Sequence, residues 1–119
     1  MHMAYSVLAA FTEWLEDEWY VGSSIVPESA PDSFVTIERT GGYVADMLDH
    51  PTIAVQCWAA TDADAEDMAL ELRNRLLTDQ PPLGVSSIRI ESGPYRFYDE
   101  TTRCPRYQLT LDVTCRLSD

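Results

Sequence analysis

Apolar positions recur along this chain with two different periods. Between residues 4 and 20, Leu8, Phe11, Leu15 and Trp19 fall at spacings of three and four, one stripe of a helix. Glu13, Glu16 and Asp17 lie mostly off that stripe, and Gly22-Ser23-Ser24 predicts its end. Pro27, Pro31 and four serines make 23–33 a predicted loop. The period then changes to two. Over 33–39, Val35 and Ile37 point to one face of a strand, Phe34 and Thr36 to the other. Thr40-Gly41-Gly42 is expected to break that strand, and 43–51 reads as a connection ending in a turn at His50-Pro51. A second strand follows at 52–60, with Ile53, Val55 and Cys57 on one face and Ala54, Gln56 and Trp58 on the other. The connection is too long for a two-residue turn, so a wide antiparallel hairpin is the economical pairing.

The helical period returns after residue 60. Ala65, Met68, Ala69, Leu72 and Leu76 form its stripe. Thr61 or Asp62 caps it, acidic residues crowd its first turns, and Arg73 and Arg75 sit toward its end, as the helix dipole favours. Pro81-Pro82 forbids continuation. A third strand covers 85–92, with Ile88 and Ile90 facing one way, and Gly93-Pro94 is expected to stop it. The stretch 93–105 reads as a long loop. The last strand, 106–117, alternates Tyr107, Leu109, Leu111, Val113, Cys115 and Leu117 with Gln108, Thr110, Asp112, Thr114 and Arg116. Such alternation means one buried and one polar face. The expectation is therefore an α/β (α+β) domain over 4–119 with the order α-β-β-α-β-β. Two helices cover one face of a four-stranded, mainly antiparallel sheet, and the polar face of the last strand meets water or another subunit.

Met1-His2 ahead of Met3 reads as a cloning scar, leaving 1–3 outside the domain. No run approaches the roughly 20 apolar residues of a membrane helix, and no signal peptide is apparent, so an intracellular, soluble protein is expected. Cys57 and Cys115 sit inside apolar alternations and read as buried free thiols, whereas Cys104 lies in a loop.

Charge changes the picture more. Twenty acidic residues stand against eight basic ones, all arginine, for a net charge of −12. A grip on nucleic-acid phosphates or on an anionic membrane needs the opposite sign. With 45% hydrophobic residues the chain is also no disordered acidic tail.

Chemistry-bearing motifs are scarce. Gly41-Gly42 lacks the Lys-Ser/Thr and the helix start of a phosphate loop. Asp62-x-Asp64 resembles the opening of a calcium loop, but a helix continues through it. Three cysteines with His2 and His50 make no four-ligand zinc pattern. Glu13, Glu16, Asp17 and Glu18 read as a solvated helix face. No catalytic, cofactor-binding or metal-binding residue is nominated, and a non-enzymatic protein is expected. Two loops stand out instead. One is the tip Thr40-Gly41-Gly42-Tyr43, and the other is 93–105 with Tyr95, Arg96, Phe97 and Tyr98. Tyrosine and arginine anchor interfaces. These aromatics either pack onto their own sheet or meet a partner.

Several landmarks follow in order: Glu38-Arg39-Thr40-Gly41-Gly42; Ile53 through Ala65 leading into the second helix; Gly93-Pro94; and the closing run from Pro105 to Arg116. Over 4–117 this series resembles the lambda-type tail terminator (tail completion) proteins of long-tailed phages and prophages of actinobacteria. The resemblance implies a structural protein of the virion tail, assembled in the bacterial cytoplasm. It also implies a ring, a hexamer in the family, on the head-proximal end of the tail tube. The implied partners are further copies of itself, the major tail tube protein and a head completion or connector protein. No cofactor or stable nucleic-acid binding is implied, although DNA passes through such a ring. An acidic channel would repel phosphates and keep DNA from sticking. The interface candidates on this reading are Glu38, Arg39, Gly41, Gly42, Tyr43, Tyr95, Arg96, Tyr98 and Arg116. The alternatives are another head–tail connector or head completion protein, or a small dimeric ligand-binding or enzymatic α/β domain.

Overall fold

Two helices and five strands follow one another as α1 (Val7–Leu15), β1 (Val21–Gly22), β2 (Phe34–Ala45), β3 (Leu48–Trp58), α2 (Asp62–Thr78), β4 (Val85–Arg96) and β5 (Arg106–Cys115). The computed structural model describes residues 3–22, 31–97 and 104–118. The strands form one sheet in the order β1-β2-β3-β5-β4. All neighbours are antiparallel except β1, which runs parallel to β2. The mixed α/β architecture matches expectation, with a fifth strand that the hydrophobic pattern does not announce. Two residues carry no periodicity; β1 is defined by its pairing of Val21 with Val35 and Gly22 with Thr36.

Both helices lie on one face. Val7, Phe11 and Leu15 of α1 and Met68, Ala69, Leu72 and Leu76 of α2 share a core with Val35, Ile37, Ile53, Val55, Cys57, Leu109, Leu111 and Val113. These strand residues are the odd-numbered half of each alternation, as the period of two requires. Ser6 caps α1 by accepting from Ala9 N, and Thr61 caps α2 by accepting from Asp64 N.

α1 is shorter than its stripe suggests. It ends at Leu15 rather than near Gly22, because the end of α1 is closed from outside. The Arg75 guanidinium donates to the Trp14 carbonyl and pairs with Asp17 and Glu18, satisfying a carbonyl the helix leaves unpaired. The chain beyond is then free to run alongside β2. Of the predicted 23–33 loop, residues 23–30 lie outside the described residues.

Two expected breaks are not breaks. The strand predicted over 33–39 continues to Ala45, and 43–51 is strand on both sides of a tight turn. Thr40-Gly41 forms a bulge where the β2–β3 register shifts. The true turn is Asp46-Met47, both at positive φ (55° and 63°), the two-residue geometry that matches strand twist. His50 and Pro51 lie inside β3, opposite Tyr43 and Gly42. Likewise β4 runs through Gly93-Pro94 to Arg96, absorbing the irregularity as register shifts against β5. Gly93 holds φ +99°, and a Cβ there would stand 2.4 Å from the Gln108 carbonyl. Glycine thus lets β4 hug β5 where proline would otherwise end the strand. β5 itself stops at Cys115, two residues before Leu117.

Candidate subunit interface

The second face of the sheet carries no helix, and it is built differently. Its side chains, the even-numbered ones in β3 and β5, lie in rows that cross the strands. In the first row Phe34 stacks on Trp58 with centroids 5.6 Å apart. The Arg106 guanidinium sits 4.5 Å from the Trp58 ring and 4.0 Å from the Phe97 ring. The negative face of each ring attracts the guanidinium between them.

The next row is a polar chain across four strands. Trp58 Nε1 donates to Thr36 Oγ1 at 2.8 Å, and Thr36 Oγ1 donates to Gln56 Oε1 at 2.7 Å. Gln56 Nε2 donates to Glu38 Oε1 and to Gln108 Oε1, each at 3.1 Å. Gln108 Nε2 donates to the Tyr95 hydroxyl at 2.7 Å. Thr36, Gln56 and Gln108 are all buried. Each amide therefore uses both ends, the condition under which a buried polar network holds the strands in one register. One-residue slips would break every link.

Toward the hairpin end, Arg89 pairs with Asp112 on this same face. Tyr43 stacks on His50 at 4.7 Å. His50 Nε2 lies 3.4 Å from the Ala45 carbonyl and Nδ1 lies 3.3 Å from Thr114 Oγ1. With the proton on Nε2, the ring donates to Ala45 and accepts from Thr114. On the helix side of the hairpin, Arg39 grips Asp49 with two bonds of 2.7 and 2.8 Å. That grip holds the Asp49 carboxyl below its usual range. Gly42 has φ +136°, and a Cβ would meet the His50 carbonyl at 2.5 Å. The glycine is what lets the two hairpin strands close over the Arg39–Asp49 pair. The hairpin is thus rigid at its base and apolar outside: Tyr43, Val44 and Met47 are 64%, 62% and 81% exposed.

The candidate residues that the structure describes fall into four places. Glu38, Arg39, Gly41, Gly42 and Tyr43 gather along the hairpin. Tyr95 stands at the far end of the glutamine row, joined to Glu38 through Gln56 and Gln108. Arg96 bonds Asp62 at the start of α2. Arg116 leaves the sheet face its parity predicts, since β5 has ended, and lies 5.0 Å from the Tyr5 ring beside the helix layer. Tyr98 lies outside the described residues, as does most of the predicted 93–105 loop beyond Phe97. Tyr95 and Phe97 pack onto their own sheet. Gln56, Trp58, His50, Arg89 and Arg106 belong to the same surface, though no local motif singles them out. Their position in the alternation is the signal that places them on the helix-free face: the even half of β3 and β5 for His50, Gln56, Trp58 and Arg106, and for Arg89 the odd half of β4, opposite Ile88 and Ile90.

Two thiols are packed away as expected. Cys57 is fully buried, and burial pushes its pKa up to about 12. Cys115 is buried as well, and Cys104 is half-buried with its thiol 3.6 Å from the Ala59 carbonyl. On the helix side, an open groove of about 670 Å³ runs between α1 and the turn before β4, past Tyr5, Trp14, Leu83, Arg75 and Arg116. Its arginines lie over Trp14 and Tyr5, so the groove walls bind one another rather than converging on its centre. No helix among the described residues is long and apolar enough to cross a membrane.

No protein-family model matches this chain, and no curated protein is significantly similar to it.

Proposed function

We propose that this chain is a tail terminator: a structural protein that assembles as a ring on the head-proximal end of a phage tail tube, ends tube growth and presents a surface to the head. The observation that carries the reading is the hairpin at 38–50. The residues that resemble the family's landmark, 38–42, form its bulged and locked base. Its outer end exposes Tyr43, Val44 and Met47 with no cover among the described residues. Apolar and aromatic side chains held on a rigid support suit a protein surface. In contrast, the groove beside α1 has no set of polar groups aimed at one point, the feature a small-molecule site would need.

Charge supports the same reading. Glu13, Glu16, Asp17 and Glu18 and the exposed Asp62, Asp64, Glu66, Asp67 and Glu71 all lie on or beside the helices. Most of the acidic residues among the described ones therefore belong to the helix layer. In a ring through which DNA passes, we place the helix layer toward the channel, where it repels phosphates. The sheet and its hairpin are then left for protein contacts.

The test is to add the protein to tubes assembled from the tail tube subunit of the same phage and to image them. Rings at one end of each tube support the proposal. Tubes bare at both ends overturn it.

A further inference from the structure

The two outer edges of the sheet are unequally guarded. Edge strands invite pairing, and proteins blunt them with bulges, prolines and charges. β4 carries Pro94, Arg89 and Glu91 and three register shifts, yet its stretch 87–90 pairs regularly with β5. Along β2, β1 covers only Val35 and Thr36. From Gly42 to Val44 no described strand lies on the outer side, there is no proline or lysine, and Tyr43 and Val44 are exposed.

Backbone alternation shows which groups face outward. Arg116 N donates to the Gly84 carbonyl and Phe97 N to the Arg106 carbonyl, whereas Ala59 N donates to Pro105. Even residues of β5 therefore bond toward β4, and odd residues toward β3. It follows that Ile88 and Ile90 of β4 direct their backbone groups outward. By the same count Gly41 and Tyr43 bond toward β3, so Gly42 and Val44 of β2 direct theirs outward.

We propose that a second copy of this chain completes these edges: 42–44 of β2 in one copy lies antiparallel to 88–90 of β4 in the next, continuing the sheet from copy to copy. The strand directions fit, because β2 and β4 run oppositely within one copy. In this register Val44 faces Ile88 and Gly42 faces Ile90 on the helix side, as hydrogen-bonded pairs. Between them Tyr43 faces Arg89 on the open side, an aromatic ring against a guanidinium that is 70% exposed. The exposed apolar edge thus gains an apolar neighbour and a cation. Two different edges meet, so the contact is heterologous and its repetition closes a ring or runs on as a filament. The inference names the contact inside the proposed ring and rests on that reading only for closure.

The next pair in this register is Ala45 with Ser87, a non-hydrogen-bonded pair whose Cβ atoms approach closely. The experiment uses the full chain with Cys104→Ser, and compares Ala45→Cys, Ser87→Cys and the double variant after mild oxidation at high protein concentration. The double variant is expected to give a ladder of disulfide-linked dimers, trimers and larger species, while each single variant stays monomeric. A folded double variant that stays monomeric overturns the contact, as does full dimerisation by Ala45→Cys alone, which would mean β2 against β2. Hydrogen exchange on the unaltered chain gives a second reading free of folding effects. The amides of Gly42, Val44, Ile88 and Ile90 should gain protection as concentration rises, and unchanged exchange there overturns the contact. A ladder without tube capping keeps the contact and removes the terminator reading. Capping without a ladder does the reverse.

Discussion

The two faces of this sheet solve the same problem with different materials. The helix-covered face buries Val35, Ile53, Val55, Leu109 and Leu111 against α1 and α2, and water exclusion from apolar surface holds it. The open face has no helix to pack against. It buries Thr36, Gln56, Gln108 and Trp58 in a hydrogen-bonded row and cages Arg106 between rings. The first face stabilises; the second fixes register and leaves the hairpin beyond it available. The difference teaches that a strand's polar half need not be a wet surface, and that partner contacts here belong to the edges and the hairpin end.

The largest effect is expected on the helix side. Replacing the fully buried Leu72 with alanine should cost about 2–5 kcal/mol in chemical denaturation. A loss under about 0.5 kcal/mol, the range of unremarkable surface changes, would show that α2 does not pack as described.

On the open face, Gln56→Leu removes the acceptor of Thr36 and the donor to Glu38 and Gln108. Its expected cost is about 1–3 kcal/mol, the range for stranding buried polar partners. Adding Gln108→Leu should cost less than the two single changes summed, because the amides are neighbours in one network. Strict additivity would mean that the row is not coupled.

The hairpin should show itself in acid. The Asp49 carboxyl titrates below its ordinary value because Arg39 bonds the ionised form. Its contribution is therefore present above the unfolded-state pKa and is lost as pH falls through the lower folded value. Asp49→Asn should be less stable than the parent chain at neutral pH. The gap should close as acid protonates Asp49 in the parent chain. A gap that persists unchanged would assign the effect to something other than this ion pair.

The smallest stability effect should come from the hairpin's outer side. Tyr43→Ser and Val44→Ser are expected to shift folding by no more than about 0.5 kcal/mol, as for exposed positions, while weakening association between copies or with the tube. A large loss of stability would place these side chains in the core instead.

Much of the helix-covered face was legible in the chain. α2 announced itself through stripe, cap, charge polarity and the prolines after it, and the alternation of β5 correctly assigned Leu109, Leu111 and Val113 to the core. The hairpin was harder to read. Glycine and proline read as breaks in the sequence, yet Gly42 and Gly93 allow close backbone approach, and Pro51 sits within a strand. The turn that does exist, Asp46-Met47, puts methionine where asparagine or glycine is usual. The glutamine row was invisible because its links join residues as far apart as 36, 56, 95 and 108, and only strand register brings them together. Glu38 lies near the end of a predicted strand and Tyr95 in a predicted loop far along the chain; the fold joins them on one face.

The most direct test of the whole account is the length of tail tubes grown from the matching tube subunit at rising amounts of this protein. The account predicts tubes that stop growing, each carrying a ring at one end, with the shortest tubes at the highest ratio. Tubes that lengthen without limit and bind none of the protein would contradict it.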